Sequence, residues 1–590
     1  MQEGTLIGGT HVYVPSFFNP GEYTLTELET KVLLAQIPAL RAIEELYLLQ
    51  KGGRINAKMC QVIETVGKSS DNPRIKEFWY MNQIHGCLYD ISGNKLKPPF
   101  TESEWKEAIK SLPADTQAEY SKYGAYFTNP ELDPHDKKGR NVFINKTDKS
   151  DEEFEKWFSE QFDIFYQSLS DVEKSARLEI ILRPETKFVM KRKGDTYHWM
   201  QKPWTKMYPE LTKKTAESFW QAGMLCVKEH PKYSGLLRAT GRGMLTNNFE
   251  SRDILLSMND SGLYTFGGLA EEYIGSGLGW SFVKKTAYDL VLGVQNPKFT
   301  EQISKTKSKV PLFIEKLPKD LRNDSISDVN MQAITTVMLV GDSKHWGATM
   351  AARNWPNDKL LNDLFPVVFM HAKESNERAK YLIKPIAEIL LPPDKVMDEK
   401  TFSEHTNMET ILHEYGHSVG KQKIYDTALE EGKATACAIW NYHLINENPK
   451  AVEQYCWTVP VSLTRRIRSG IDVKTRKIAD AHSIGENSIL NQMYASGAVK
   501  ISNEIFEVNP QLVIKTAGEY VVHAVELAFN GRQEAITEYL TPHTVASEET
   551  FQMIEKLNKL KLPRSIFFDR GTIDELEASL NEYLKTLGKN

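Results

Sequence analysis

The sequence predicts an α+β fold of two lobes, one helix-rich and one mixed with a β-sheet or barrel-like core, with a cleft between them. Residues 405–445 have a strongly helical pattern, and residues 24–49 and 572–587 place apolar side chains at helix spacing. Residues 333–341 form an apolar, β-branched run typical of a buried strand, and residues 177–193 alternate as strands do. This mixture of a helix-rich part with scattered strands favours the α+β class.

Composition and charge exclude several functional classes. The chain has 590 residues, of which 41% are hydrophobic and 26% charged, as in ordinary globular proteins. Its net charge of -5 argues against a nucleic-acid partner, because such binding requires a concentrated basic face. Its five cysteines are scattered and form no CxxC pair, which indicates free thiols. No apolar run approaches the roughly 18 residues of a membrane span. We therefore expect a cytoplasmic, monomeric protein with no membrane partner.

The segment 406–420 carries a pattern typical of zinc hydrolases. His413 and His417 are four residues apart, so both imidazoles reach one ion if the segment is helical. Glu414 lies between them and projects at a neighbouring angle, where it can act as general base on a water at the metal. Two surface histidines on a helix are the structural alternative for this short pattern.

Capping patterns predict the boundaries of two helices. Thr406 and Glu409 have capping-box spacing, so a first helix is predicted to start at Thr406 and to end at Gly420. Thr427 and Glu430 have the same spacing and predict the start of a second helix.

A catalytic zinc needs a third protein ligand. Glu430 and Glu431 lie at the start of the second predicted helix, where acidic residues are also common for electrostatic reasons alone. The 13 residues between His417 and Glu431 allow a helix end, a short loop and one turn of an antiparallel partner helix. Either glutamate is a candidate ligand on this reasoning. Zn²⁺ is the expected cofactor, although cobalt or manganese also suits two imidazoles and a carboxylate.

Five segments resemble the dipeptidyl peptidase III family of zinc exopeptidases and follow one another in the family's order. They are EEY (271–273), ARNWPND (352–358), HEYGH (413–417), EEGKA (430–434) and DAHSIGENSIL (480–490). The resemblance spans roughly residues 260–500. It implies a two-lobed peptidase that binds zinc through His413, His417 and Glu431, with Glu430 as hydrogen-bond acceptor for a ligand histidine.

The resemblance also implies substrate-binding residues. Glu271, Asn354 and Asn357 would hold the free amine of a peptide, while Tyr273 and His482 would donate hydrogen bonds to the tetrahedral oxyanion. Each side chain has a structural alternative as well: a turn around the proline for the two asparagines, a packed aromatic ring for Tyr273, a solvated carboxylate for Glu271 and an ordinary helical residue for His482.

The sequence departs from the family pattern in three places. Only Tyr415 and Gly416 separate Glu414 from His417, where most members have three residues. The connection to the third ligand is shorter than usual, and Glu486 replaces an arginine that commonly follows the family histidine by four positions. These departures bear on substrate preference more than on the metal. No C-terminal arginine can be assigned to substrate binding from the sequence.

The predicted organisation has three parts. Residues 1–329 form a mixed lobe of N-terminal helices, central strands and a substrate-binding segment. Residues 330–510 form a mainly helical catalytic lobe that binds zinc. Residues 511–590 form a C-terminal helical segment that packs back on the first lobe.

The predicted function is a zinc metallopeptidase that releases dipeptides from the N-terminus of oligopeptides, with Glu414 as general base. Two alternatives remain open from the sequence. One is a zinc hydrolase that acts on a non-peptide amide, ester or lactone. The other is a non-catalytic peptide-binding protein with the same fold.

Overall fold

A computed structural model describes most of the chain. The described residues are 1–88, 96–128, 208–246, 249–267, 289–326, 329–341, 343–344, 352–355, 365–421, 424, 426–531 and 533–588. Five short strands are described by their backbone alone: Asn145–Lys146, Lys187–Val189, His198–Met200, Glu271–Ser276 and Ser281–Thr286. Residues 50–55 and 372 are likewise described by their backbone alone.

The described residues belong to two compact units, each assembled from separate stretches of chain. The first unit consists of Met1–Pro15, Gln295–Thr335 and Ala348–Asp569. The second unit consists of Ser16–Val294, Thr336–Gly347 and Arg570–Asn590.

The first unit is mainly helical. Its α-helices are Pro297–Lys307, Pro311–Ile314, Ala372–Arg378, Lys384–Leu390, Glu399–Gly416, Thr427–Ile445, Pro449–Gly470, Ala481–Ala495, Pro510–Phe529, Gln533–Leu540 and Glu548–Lys559. A π-helical turn, Ala379–Ile383, joins two of them. The buried side chains of these helices form one extensive apolar core.

Short sheets complete the first unit. The strand His11–Pro15 pairs antiparallel with Leu6–Ile7 and parallel with Ser565–Asp569. The fully buried strand Val367–His371 pairs parallel with the start of Met331–Gly341 and antiparallel with Ala352–Trp355. A hairpin of Val499–Ser502 and Ile505–Val508 stands apart from both sheets.

The second unit combines helices with short antiparallel pairs of strands. Its α-helices are Glu27–Ala35, Ile37–Ser69, Pro73–His85, Glu102–Ala108, Ala114–Thr128, Pro209–Leu225, Pro231–Thr246, Glu250–Ser257 and Ile573–Leu587. Leu263–Phe266 pairs with Asp289–Gln295, Glu271–Ser276 with Ser281–Thr286, and His198–Met200 with both Lys187–Val189 and Asn145–Lys146.

The α+β prediction with a helix-rich and a mixed part is confirmed, and the sheets of the described residues include no closed barrel. The predicted strand at 333–341 lies inside Met331–Gly341, which is buried along nearly its whole length. Within 177–193, only Lys187–Val189 lies among the described residues, and it is a strand. The predicted division of the sequence into three parts stays a prediction.

Two predicted helix boundaries were wrong. The first helix begins at Glu399 rather than Thr406, because Asp398 caps it by accepting a hydrogen bond from the Thr401 amide at 2.9 Å. It ends at Gly416 rather than Gly420, since the chain tightens into a turn there, with the Ser418 amide bonded to the Tyr415 carbonyl.

Two further findings concern the cysteines and the bilayer. All five cysteines are buried, and each is present as a thiol rather than in a disulfide. None of the described helices combines the length and the apolar composition that a membrane crossing requires.

Candidate metal centre

The helix Glu399–Gly416, here the ligand helix, carries the first half of the centre. Ile411, Leu412 and Tyr415 are fully buried and fix one face of this helix in the core of the first unit. His413 and Glu414 lie on another face and are each only 9% exposed. The helix therefore holds two polar side chains in surroundings that restrict their solvation.

The helix Thr427–Ile445, here the carboxylate helix, packs against the ligand helix. Asp426 caps it by accepting hydrogen bonds from the amides of Ala428 and Leu429. A Cβ atom on Gly416 would lie 2.7 Å from the carbonyl oxygen of Ala434, closer than real Cβ contacts. The lack of a side chain at Gly416 thus permits the close approach that brings the two helices together.

This approach gathers three donor atoms around one point. Oε2 of Glu431 lies 3.2 Å from Nε2 of His413 and 3.9 Å from Nε2 of His417. Ligands bonded to one zinc at about 2 Å in tetrahedral geometry stand at comparable separations from one another. His413, His417 and Glu414 also offer ligand atoms that all lie within 4.8 Å of one another.

The other ring nitrogen of each histidine is held by a separate partner. Nδ1 of His413 lies 3.1 Å from the hydroxyl of Thr435, and Nδ1 of His417 lies 3.0 Å from Oε1 of Glu430. With the proton on Nδ1, each ring donates to its partner and leaves the Nε2 lone pair directed at the shared point.

Lys433 contacts both the end of the ligand helix and Glu430. Its side chain is almost fully buried, and its ammonium donates to the carbonyl oxygen of His417 at 3.0 Å. The same ammonium pairs with Glu430 at 3.0 Å. One cation thus satisfies a carbonyl at the end of the ligand helix and orients the carboxylate that holds His417.

Burial and neighbouring charge move the titration of these groups in different directions. Burial lowers the pKa of His413 to about 4, against the opposing effect of Glu431. Burial also acts to lower the pKa of His417, but the hydrogen bond of Glu430 and the charges of Glu414 and Glu431 outweigh it and raise that pKa to about 8. Burial acts to raise the pKa of Glu431, yet the adjacent imidazoles lower it well below its usual range.

Glu414 has the properties of a general base. Burial is the main cause that raises the pKa of its carboxyl to about 6, with a further rise from Glu431 and an opposing effect of His417. A carboxylate with a pKa near neutrality can both take up and return a proton during one reaction cycle.

The helix Ala481–Ala495, here the histidine helix, borders the centre on another side. Gly432 and Gly485 face each other where it meets the carboxylate helix, with no space for a Cβ atom on either. His482 follows the capping Asp480 at the start of this helix, and its Nε2 lies 3.2 Å from Oε1 of Glu431. The side chain of His482 is 46% exposed, so it borders the metal centre and also faces solvent.

The donor set fits a zinc ion. Oε2 of Glu431 is buried and accepts no hydrogen bond of acceptable geometry, although two imidazole nitrogens surround it. A buried, unpartnered carboxylate oxygen is costly unless a cation or a donor completes it. Two imidazoles and one carboxylate are also the ligand types of catalytic zinc.

The remaining predicted site residues are placed less completely. Glu271 and Tyr273 lie on the strand Glu271–Ser276 of the second unit, paired with Thr286 and Lys284, and only their backbone is described. Asn354 lies exposed on the strand Ala352–Trp355 of the first unit. Asn357 lies outside the described residues. Their predicted roles stay predictions.

Sequence reasoning missed two residues that position the centre, Thr435 and Lys433. Thr435 follows Glu431 by four positions and Lys433 follows Glu430 by three, so both spacings place the pairs on adjacent turns of one helix. The sequence contains these spacings, but they identify the positioning residues only once the register of the helix is known.

Known proteins resemble this chain in structure rather than in sequence. No family model and no curated protein matches it. The structure of DPP III from Caldithrix abyssi matches with a TM-score of 0.67 at 18% identity, over 96% of this chain and 98% of that chain. The dipeptidyl-peptidase III from Corallococcus sp. strain EGB matches with a TM-score of 0.63 at 18% identity, over 97% of each chain. The chain therefore has the dipeptidyl peptidase III fold over nearly its whole length, which confirms the resemblance seen in the sequence.

Proposed function

We propose that this protein is a zinc-dependent metallopeptidase that releases dipeptides from the N-terminus of oligopeptides. The observation that carries the proposal is the convergence of His413, His417 and Glu431 on one point, with the buried carboxylate of Glu414 beside it. The fold adds support, because the two similar structures are named as dipeptidyl peptidases III.

The two imidazoles and Glu431 would hold the metal, and Thr435 and Glu430 would keep the rings oriented. When bound, zinc supplies a Lewis acid that polarises a carbonyl group and lowers the pKa of water to about 7. Glu430 would thus orient His417, while Glu431 would bind the metal.

Glu414 would take the proton of the attacking water and pass it to the leaving amine. Its raised pKa, about 6, suits both halves of this transfer near neutral pH. Its low exposure limits competing proton exchange with bulk solvent.

His482 and Tyr273 would donate hydrogen bonds to the oxyanion that forms from the scissile carbonyl. His482 supports this role by its place, since its Nε2 is within hydrogen-bond distance of the ligand Glu431 while much of its ring stays open to solvent. Substrate can therefore reach this ring from the solvent side.

Glu271, Asn354 and Asn357 would bind the free amine of the peptide, because a carboxylate and amide oxygens suit an ammonium group. The strand Ala352–Trp355, which carries Asn354, pairs with Val367–His371 and stands at the edge of the strand order of its sheet. An extended peptide can add to such an edge through main-chain hydrogen bonds.

A dipeptidyl-naphthylamide assay tests the proposal. The protein as purified should release the naphthylamine, and a chelator should abolish release until zinc is restored. Metal content by mass spectrometry should approach one zinc per chain in the wild type and fall sharply in Glu431→Ala. Arg476→Gln, which alters an exposed ion pair with Glu548 that includes none of the proposed site residues, serves as the control variant and should retain both metal and activity.

Two results would contradict the proposal. A protein that binds zinc but releases no dipeptide from any peptide, while it cleaves a neutral amide or ester, would be a hydrolase of another class. A protein that binds peptides without turnover over long incubation would be a binding protein. A Glu271→Gln variant separates the first case, because it should raise the KM of a free-amine peptide and leave that of a neutral substrate unchanged.

A further inference from the structure

A buried tyrosine lies where the two helices that carry Glu431 and His482 meet. The helix Pro510–Phe529, here the tyrosine helix, packs against both the carboxylate helix and the histidine helix. Tyr520 belongs to this helix and is only 1% exposed. Its hydroxyl is therefore shielded from water and needs a hydrogen-bond partner inside the protein.

The hydroxyl oxygen of Tyr520 lies directly against the backbone of the carboxylate helix. A Cβ atom on Gly432, the residue after Glu431, would lie 2.3 Å from this oxygen and 3.2 Å from the Cα atom of Gly485. Real Cβ atoms essentially never come within 3.0 Å of another atom, so the hydroxyl already fills the space beside Gly432. The tyrosine thus limits how the two glycine backbones can approach each other.

Hydrogen bonds join the same hydroxyl to the histidine helix. The hydroxyl oxygens of Tyr520 and Ser488 lie 2.7 Å apart, and the Ser488 hydroxyl donates to the carbonyl oxygen of Gly485 at 2.6 Å. A serine has one donor proton, so Tyr520 donates to Ser488 when both bonds form. Ser488 is fully buried as well. The oxygen of Tyr520 therefore contacts one helix by packing and the other by a hydrogen bond.

This junction is next to the groups of the proposed reaction. Gly432 follows Glu431 directly, and Gly485 lies three positions after His482, on the adjacent turn of its helix. Oε1 of Glu431 is 3.2 Å from Nε2 of His482 across the same pair of helices. A change in the separation of the helices at the two glycines therefore changes the separation of these two side chains.

We propose that Tyr520 is a positioning residue that fixes the distance between Glu431, the proposed metal ligand, and His482, the proposed oxyanion donor. The inference rests on the proposed peptidase function and deepens it, because it assigns the geometry of that site to a residue that acts through the two helices. The oxygen of Tyr520 is a spacer against Gly432 and a donor to Ser488. Both contacts are lost when this oxygen is removed.

Tyr520→Phe removes the oxygen and keeps the ring. In the zinc-loaded protein it should lower kcat for a dipeptidyl-naphthylamide about 3–10-fold, which is the usual effect of one hydrogen bond. KM should stay within about twofold, because the displaced groups act in the transition state rather than in peptide binding. In the cobalt-loaded protein the visible absorption should change, because it depends on the arrangement of ligands around the metal.

Tyr455→Phe is the matched control. Tyr455 is also fully buried in the first unit, and its hydroxyl forms no hydrogen bond with the described residues. Removal of that oxygen leaves a void of the same size without breaking a bond, so kcat, KM and cobalt absorption should match the wild type. Ser488→Ala removes the acceptor of the Tyr520 hydroxyl and should change kcat and cobalt absorption in the same direction as Tyr520→Phe.

A double variant tests the contact with the carboxylate helix. Gly432→Ala places a methyl group against the Tyr520 oxygen and should lower kcat more than Tyr520→Phe does. Without that oxygen, the atoms nearest the methyl group are Cζ of Tyr520 at 3.1 Å and Cα of Gly485 at 3.2 Å, which need to move by only a few tenths of an ångström. Tyr520→Phe should therefore raise kcat in the Gly432→Ala background, opposite to its effect in the wild type.

The outcomes separate this inference from the proposed function. A Tyr520→Phe protein with a lowered urea midpoint but wild-type kcat, KM and cobalt absorption would overturn the positioning role. A further loss of kcat when Tyr520→Phe is added to Gly432→Ala would also overturn it. If the wild type released no dipeptide, the proposed function would fail, while the cobalt absorption of Tyr520→Phe and Tyr455→Phe would still decide the positioning role.

Discussion

The two imidazoles of the candidate metal centre have different surroundings. His413 lies deep beside the neutral hydroxyl of Thr435, and its pKa is lowered to about 4. His417 lies at the end of the ligand helix beside the anionic Glu430, and its pKa is raised to about 8. Burial favours the neutral ring of His413, whereas the negative charge of its neighbours favours the protonated ring of His417.

This contrast predicts that the two rings would contribute differently to metal binding. A ring held neutral by burial is ready to ligate a cation, while a ring that hydrogen-bonds a carboxylate is a stronger base and a stronger ligand. Lys433 balances the charge of Glu430, so the second arrangement carries no uncompensated anion. Substitutions on the two sides of the centre should therefore have different effects.

Glu414 lies between the two imidazoles in sequence and orients neither of them. Glu414→Gln should therefore lower kcat by about 10²–10⁴-fold, the usual contribution of a general base, without loss of zinc. The measurement is peptide turnover alongside metal content by mass spectrometry. Loss of zinc together with activity would show instead that Glu414 belongs to the ligand set.

The partners of the two rings should differ in their effect on metal affinity. Glu430→Gln removes the anionic partner of His417 and should weaken zinc binding about 10–100-fold, as loss of such partners usually does. Thr435→Val removes a neutral partner of His413 and should weaken binding less. Competition with a chelating dye measures both constants.

Thr435→Ser is the matched control, because it keeps the hydroxyl and should bind zinc like the wild type. Equal losses of zinc affinity in Glu430→Gln and Thr435→Val would contradict the proposed difference between His413 and His417.

Gly416 allows the carboxylate helix to approach both imidazoles. Gly416→Ala should destabilise the protein by about 1–3 kcal/mol, as overpacking does, because the new Cβ would press on the Ala434 carbonyl. Gly235→Ala, where the nearest atoms lie at 3.6 Å in an ordinary helix, should be neutral or slightly stabilising. Urea unfolding of both variants measures the difference, and equal midpoints would contradict the proposed clash.

In the metal-free protein, the combined contribution of His413 and His417 to stability should be largest near pH 6.5. The pKa of His413 is lowered to about 4, so its contribution is complete above the unfolded value of 6.5 and is lost as pH falls toward 4. The pKa of His417 is raised to about 8, so its contribution is complete below 6.5 and is lost as pH rises through 8. The loss should amount to about 3 kcal/mol for His413, whose pKa shift is larger, and to about 2 kcal/mol for His417.

Urea midpoints across this pH range should reveal which ring causes which loss. His413→Gln should reduce the loss on the acidic side alone, and His417→Gln should reduce the loss on the alkaline side alone. A single variant that reduces the loss on both sides would show that the two rings titrate as one coupled pair.

Local spacing explains why the convergence of the three proposed ligands could be predicted from the sequence. His413, Glu414 and His417 lie within one and a half turns of a helix, and the short connection to Glu431 leaves few ways to place that carboxylate. The distances among them need no knowledge of the remaining fold. The α+β class could be predicted for a similar reason, since helical and strand periodicities are local signals.

Other features depend on contacts that the sequence does not reveal. The capping-box pattern at Thr406 misled the prediction, because the helix continues upstream to Asp398, with the buried Phe402 anchoring the earlier turn. The pairing of Arg466 with Glu486 joins two helices whose packing no local pattern specifies. Such pairs become visible only when the tertiary structure places them together.

Because of the tight contact at Gly416, the length of the motif from His413 to His417 and the length of the connection to Glu431 depend on each other. A residue inserted between Glu414 and His417 would turn the second imidazole by about 100° around the ligand helix, away from Glu431. The carboxylate helix cannot follow by sliding, since the Ala434 backbone already touches Gly416. Insertions in the motif and in the connection after it should therefore occur together, so that a chain with the longer motif also has the longer connection to its third ligand.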